Sequence, residues 1–176
     1  MKHFFTLLAT FLLTVSTFAQ TGNITITSGA SLTVDATAFL TASGDFTNNG
    51  GTVALNSTAA NFSSLIVTGA ATGNIVYNRY VNSYDTNALG GGWDLVGAPV
   101  GMTISAFTTA NAATLKVLGD DYAFSQYDNA TGQWNRYATS SQTGSFTAGQ
   151  GYSMATNAGD GATLAFTGAM QTADQS

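Results

Sequence analysis

Seven side chains between residues 120 and 137 have the chemistry to bind a ligand. Three are aspartates, whose carboxylate oxygens suit the Ca²⁺ ions found between loops of extracellular β proteins. Four are aromatic, with flat rings that can stack on the C–H faces of sugars. The aspartates are Asp120, Asp121 and Asp128, and the aromatic residues are Tyr122, Tyr127, Trp134 and Tyr137. They form a candidate calcium site and a candidate glycan-binding surface.

Each candidate also has a simpler structural explanation. The aspartate spacing matches neither an EF-hand loop nor a nonapeptide repeat, and aspartates beside Gly or Asn commonly form solvated turns. Tyr122 shares a strand face with Phe124, while Tyr127 and Trp134 flank the hairpin sequence DNATGQ and form a cross-strand pair or a core pair. Core packing is the default for such aromatic residues, so the sequence leaves both sites open.

The composition argues against an enzyme. The chain has no cysteine and no glutamate, and its one histidine is His3. A serine triad therefore lacks its general base. A glycosidase pair that included Asp94 would need a second carboxylate within about 5–10 Å. We predict no catalytic residue and no cofactor apart from the candidate Ca²⁺.

The glycine run at 90–92 does not predict a phosphate-binding loop. Such a loop precedes a helix N-terminus and usually carries Lys or Arg, whereas the residues that follow here, including Trp93 and Leu95, are strand formers. We interpret the run as a turn before a strand. Alternation in that strand predicts that Asp94 faces the solvent, opposite Trp93 and Leu95.

Short strands must position these side chains, and the sequence predicts an all-β fold. Within residues 20–81, five apolar residues recur at intervals of 8, 8, 6 and 7 residues: Ile24, Leu32, Leu40, Phe46 and Val53. This spacing favours a β-solenoid-like repeat of short strands, with an ordinary sandwich as the alternative. Residues 82–176 have longer strand signals and more aromatic residues. They indicate an antiparallel β-sandwich, truncated at its C-terminus, with a weak helix signal around 103–113.

Residues 1–19 read as a secretory signal peptide. Lys2 and His3 precede an apolar run too short to span a bilayer, and Thr17 with Ala19 forms a cleavage signal. Cleavage after Ala19 leaves three basic residues against nine aspartates, so the net charge changes from −5 to −6. This charge excludes nucleic acid as a natural partner, and no later segment predicts a membrane span.

The strand sequences together resemble the N-terminal repeat-and-sandwich region of large secreted Bacteroidetes surface proteins of the flavobacterial type. The resemblance covers residues 20–176. It depends on Arg79-Tyr80, on the pattern GW-x-L-x-x-x-P with Trp93, Leu95 and Pro99, and on the sequence GQGY at 149–152. It implies a secreted or cell-surface location. Such proteins often end in a sorting domain for type IX secretion, which this sequence does not show. Because the strong strand signal TLAFTGAM is followed directly by the polar sequence QTADQS, we expect the chain to be a fragment.

We therefore expect a non-catalytic structural or adhesive segment at the cell surface. The alternative is a glycan-binding accessory module of a larger secreted enzyme. Extracellular polysaccharide and other surface proteins are the expected partners. A tryptophan, Trp93 or Trp134, that is exposed to solvent beside Tyr122 or Tyr127 would favour glycan binding.

Overall fold

The computed structural model describes residues 18–20, 22–85, 92–147, 150–157 and 159–170. Within them the chain is mostly β with one short helix, as the sequence predicts for an all-β protein. The predicted signal peptide, except its last two residues, lies outside this part of the chain, as do Gly90, Gly91, Gly149 and the terminal residues 171–176.

Nine short strands are described in the first region. They are β1 (Phe18–Gln20), β2 (Ile24–Thr27), β3 (Ser31–Val34), β4 (Phe39–Ala42), β5 (Phe46–Asn49), β6 (Thr52–Asn56), β7 (Ser64–Val67), β8 (Ala71–Thr72) and β9 (Asn74–Val81). The chain makes three passes, which we call coils, and each coil contributes one strand to each of three parallel sheets. The sheet orders are β1-β4-β7, β2-β5-β8 and β3-β6-β9.

The register explains the recurring apolar residues of this region. Ile24 lies beside Phe46 and Leu32 beside Val53 in the next coil. Phe46 and Val53 are fully buried, and Ile24 and Leu32 pack against the same core. Because successive side chains of a strand point to opposite faces, most of these strands direct apolar residues inward and Thr, Ser or Asn outward. Phe39 of β4 and Ile66 of β7 are exceptions, since they are 40% and 52% exposed.

A polar ladder links the three coils at one corner. The side-chain amide of Asn78 donates to Asn56 Oδ1 (2.9 Å), and the amide of Asn56 donates to Asp35 Oδ1 (3.3 Å). These residues hold equivalent positions in successive coils. Through this ladder the polar side chains at the corner have hydrogen-bond partners in the neighbouring coils.

Seven strands and one helix lie in the described part of the second region. The strands are β10 (Asp94–Gly97), β11 (Val100–Gly101), β12 (Val117–Leu118), β13 (Asp121–Asp128), β14 (Gln133–Ala138), β15 (Gly151–Met154) and β16 (Ala162–Met170). We call β10, β15, β13, β14 and β12 the outer sheet; its order is β10-β15-β13-β12, with β14 also paired to β13. Its strand pairings within the described residues are all antiparallel.

The two regions are joined by one sheet. Strand β16 pairs antiparallel with β9 over eight residues, and β11 pairs with the other edge of β16. The resulting order, β11-β16-β9-β6-β3, defines the shared sheet. Strand β16 thus pairs with β9 at the edge of the last coil, so the backbone N–H and C=O groups of that edge are not left open to another chain.

The helix α1 (Ile104–Ala110) forms where the sequence gives only a weak signal. Thr103 caps it, since its hydroxyl accepts a hydrogen bond from Ala106 N at 3.1 Å. Phe107 lies fully buried, and its ring contacts Phe124 of the outer sheet and Phe166 of the shared sheet at centroid distances of 5.4 and 4.8 Å. Burial of this apolar face compensates for the poor helix propensity of the threonines.

Candidate functional site

The sequence DNATGQ forms the predicted hairpin between β13 and β14. The Asp128 carboxylate accepts hydrogen bonds from the Thr131 hydroxyl and from Ala130 N, both at 2.9 Å. These bonds, the one from Thr131 first, lower the pKa of Asp128 below its ordinary value. Gly132 closes the turn with φ +68°. Asp128 therefore has a turn-forming role.

The hairpin presents two aromatic rings to the solvent. Tyr127 pairs directly with Trp134, and their ring centroids lie 5.2 Å apart at 60°. Tyr127 is 38% and Trp134 47% exposed. This confirms the predicted cross-strand pair and shows that the pair is not part of the core. An exposed Trp134 beside Tyr127 is also the arrangement that favours glycan binding.

A groove of about 610 Å³ runs beside this pair on the outer face of the outer sheet. Trp134 and Tyr127 lie at one side and Leu95 of β10 at the other, with Gly151 of β15 between them. A Cβ atom on Gly151 would lie 3.4 Å from Leu95 Cδ1, so the leucine side chain leans over the glycine. The groove thus has apolar sides and a floor without a side chain.

Polar side chains complete the groove. Asn129, Thr147 and Gln150 contribute amides and a hydroxyl, and Gln150 Nε2 also donates to Tyr127 O at 3.2 Å. Among the described residues that line the groove, none carries a charged side chain. Flat apolar rings with neutral hydrogen-bonding groups are suited to an uncharged ligand that has hydroxyl groups.

The orientation predicted for β10 is wrong. Leu95 is 69% exposed, whereas Val96 is buried and Asp94 shares its side of the strand. Asp94 is half-buried, and its two carboxylate oxygens accept hydrogen bonds from Asn82 N and Asn82 Nδ2, each at 2.8 Å. These bonds hold Asp94 on the inner side, so Leu95 faces the groove.

The other two candidate aromatic residues lie on the opposite face of the outer sheet. Tyr137 stacks on Phe124 with centroids 4.5 Å apart, and its hydroxyl donates to Gln126 Oε1. Burial raises the pKa of Tyr137, and the neighbouring Tyr152 adds to the effect. Tyr122 is half-buried against the core. The structure therefore brings Tyr127 and Trp134 together but not Tyr122 or Tyr137.

The three candidate calcium ligands are not brought together. Asp121 and Asp128 lie at opposite ends of β13, about 23 Å apart along an extended strand. Asp120 lies in the turn before β13, where its carbonyl accepts hydrogen bonds from Thr139. No group of three potential metal-ligating side chains occurs among the residues that the structure describes.

Sequence reasoning missed Leu95, Gln150 and Gly151 as parts of the site. One signal was present in the sequence, the Gly-x-Gly-Tyr motif, because alternation puts Gly151 on the face opposite Tyr152, which is buried in the core. The motif does not identify a groove without the register of β15 between β10 and β13.

Comparisons with protein-family models, with curated proteins and with solved structures found no match to this chain. In the described part of the chain, no helix has the length and apolar character needed to cross a membrane.

Proposed function

We propose that this chain is a non-catalytic, exported β segment that adheres to extracellular polysaccharide through the groove beside Trp134. The observation that carries the proposal is the exposed Tyr127–Trp134 pair facing Leu95 across Gly151. Such binding would serve a surface adhesin and equally an accessory module of a larger secreted enzyme.

Aromatic rings that a sheet face exposes to water have a higher free energy than buried ones. Burying an aromatic side chain removes a large apolar area from solvent, and residues of this type dominate binding energy at protein interfaces. Trp134 and Tyr127 lie close to the hairpin turn that fixes their strands, so they lose little conformational freedom when a ligand binds. This preorganisation supports a binding role.

The charges of the chain favour an uncharged ligand. The groove offers neutral side chains, and the net charge of the whole chain is −5. An acidic polysaccharide would be repelled by this field, and Arg136, which lies in the adjacent row of the same sheet face, is not among the residues that line the groove. We therefore expect neutral polysaccharides to bind and alginate not to bind.

We further propose that the three coils form a short β-solenoid and that the outer and shared sheets form a β-sandwich. The parallel stacking supports the first assignment, and the contacts of Phe107 with both sheets support the second. Export by the signal peptide would leave Gln20 as the first residue. Mass spectrometry of the secreted chain tests this cleavage, and a retained residue 1–19 segment would contradict it.

The binding test is affinity electrophoresis and calorimetry of the purified chain with hydroxyethylcellulose, xylan, glucomannan, laminarin and alginate. We expect saturable binding to at least one neutral polymer. Trp134→Ala should weaken that binding by about tenfold or more. Phe62→Ala is the matched control, because Phe62 is 64% exposed in the first region, away from the outer sheet.

Two results would overturn the proposal. One is the absence of saturable binding to every polymer of the panel. The other is equal loss of binding in the Trp134 and Phe62 variants, which would show that the groove has no special part in it. Either result would favour a purely structural role for the chain.

A further inference from the structure

Two glycines lie opposite each other in the outer sheet, next to the aromatic pair. Gly97 of β10 pairs with Gly151 of β15. Strand β15 in turn pairs with β13 at Ser153–Ser125 and Tyr152–Gln126, and this register, continued by one residue, brings Gly151 beside Tyr127. Tyr127 pairs with Trp134 of β14. One row across four strands therefore reads Gly97, Gly151, Tyr127, Trp134.

The backbone does not require glycine at either position. Neither Gly97 nor Gly151 has a φ in the left-handed region. A Cβ on Gly97 would meet nothing within 4 Å, and a Cβ on Gly151 would make ordinary contacts with Leu95 at 3.4–3.6 Å. Glycine within a strand weakens the strand and often marks the close approach of a ligand or another backbone. A requirement for a bare surface accounts for Gly97, whereas at Gly151 the absence of a side chain leaves room for the side chain of Leu95.

The dimensions and shape of the row suit an extended ligand. Four strands span three inter-strand spacings, or about 14 Å. The adjacent row, Leu95, Ser153, Ser125 and Arg136, has two small side chains at its centre. A ligand lying across the strands thus meets the aromatic rings at one end, the side chain of Leu95 beside Gly151, and the open backbone of Gly97 at the other end.

We propose that the groove and the neighbouring surface of Gly97 bind an unbranched, uncharged polysaccharide that lies across the strands, with its sugar units running from Trp134 and Tyr127 past Gly151 to the bare backbone of Gly97. This inference rests on the proposed function and adds the class of ligand. Gly97 and Leu95 are its specificity-determining positions, because a side chain at position 97 would lie in the path of the ligand and the Leu95 side chain occupies the space above Gly151 that a branch would need.

The test uses the full chain and ladders of linear cello- and manno-oligosaccharides of increasing length, together with galactose-branched manno-oligosaccharides. Affinity of the unaltered chain should rise with length and should fall when branches are present. Gly97→Val adds a side chain in open space, so the fold should tolerate it. We expect this variant to bind the shortest ligands normally and to lose roughly tenfold in affinity for the longest.

Gly159→Val is the matched control, since a Cβ at Gly159 also meets nothing within 4 Å and the residue lies outside the outer sheet. The inference is overturned if Gly97→Val keeps the full gain of affinity with length, or if branched and linear ligands bind equally well. Both outcomes differ from failure of the proposed function, in which no oligosaccharide binds and Trp134→Ala changes nothing.

Discussion

Asn111 should be among the polar residues whose loss destabilises this fold most. It lies at the end of α1 and is only 4% exposed. Its side-chain Nδ2 donates to Phe107 O (2.9 Å) and to Ala165 O (3.0 Å), and its Oδ1 accepts from Ala165 N (2.8 Å). Strand β11 pairs only with Met170 and Ala169 at the end of β16. At Ala165 the side-chain amide of Asn111 therefore makes the hydrogen bonds that a neighbouring strand would make.

The magnitude follows from these three bonds. A neutral hydrogen bond contributes about 1 kcal/mol net, and a buried partner left unsatisfied costs about 1–3 kcal/mol. Asn111→Ala leaves the N–H and C=O groups of Ala165 without these hydrogen-bond partners, whereas Phe107 O keeps its bond from the backbone N–H of residue 111. We therefore expect Asn111→Ala to lower the free energy of unfolding by about 2–4 kcal/mol.

Asn111→Asp keeps the shape of the side chain but removes its hydrogen-bond donor. A carboxylate at this position can accept from Ala165 N but would face the carbonyl oxygens of Phe107 and Ala165 without a proton. Burial and this repulsion should raise its pKa above the unfolded value of about 3.9. The folded carboxyl then binds its proton more tightly than the unfolded one, so the destabilisation should shrink as the pH falls towards the unfolded pKa.

Equilibrium urea unfolding followed by circular dichroism at several pH values measures both effects. Asn49→Ala, at an exposed position of β5, is the control and should change stability by less than about 0.5 kcal/mol. The reasoning fails if Asn111→Ala is no more destabilising than Asn49→Ala. It also fails if the difference between Asn111→Asp and the unaltered chain does not depend on pH.

Three further outcomes are expected. Gly168→Ala should destabilise the chain by about 1–3 kcal/mol in urea unfolding, because the added methyl would overlap the carbonyl oxygen of Gly101 and push β11 from the shared sheet. Iodide should quench Trp134 more than the half-buried Trp93, so Trp134→Phe should remove most of the quenchable fluorescence; unchanged quenching would contradict the exposed pair. NMR titration should give Asp128 a pKa below its ordinary value. The stabilisation from its hydrogen bonds in the turn is then complete above the unfolded-state pKa and is lost as the pH falls through the folded-state pKa. An ordinary pKa would contradict the turn geometry.

Local patterns predicted the all-β class and the elements well, because these depend on neighbours in the sequence. The anchors from Ile24 to Val53 all pack in or against the core, and the hairpin at Asp128 forms as its Asp, Asn and Gly indicate. The period of an apolar pattern shows which residues share a face but not which face is covered, and a shift of one residue exchanges the two. Leu95 was therefore assigned to the wrong side.

The site depends on contacts that no local pattern contains. The exposure of Trp134 follows from the absence of a covering layer over the outer face in the described structure, and the groove follows from the placement of β15 between β10 and β13. The spacing of aspartates was equally uninformative, because an eight-residue strand separates Asp121 from Asp128. The role of Asn111 depends on Ala165, which lies 54 residues away.

The stacked coils give this protein an adjustable length. Hydrogen-bonded partners in consecutive coils lie 21 to 25 residues apart, as for Ser31 with Thr52 and Phe46 with Ala71. Among the strands that the structure describes, β9 is the one of the last coil that pairs with β16. A duplicated coil inserted before β9 would therefore leave the outer sheet untouched and add about 4.8 Å to the stack. The first region can act as a spacer, whose height evolution could change in fixed steps without rebuilding the surface at its end.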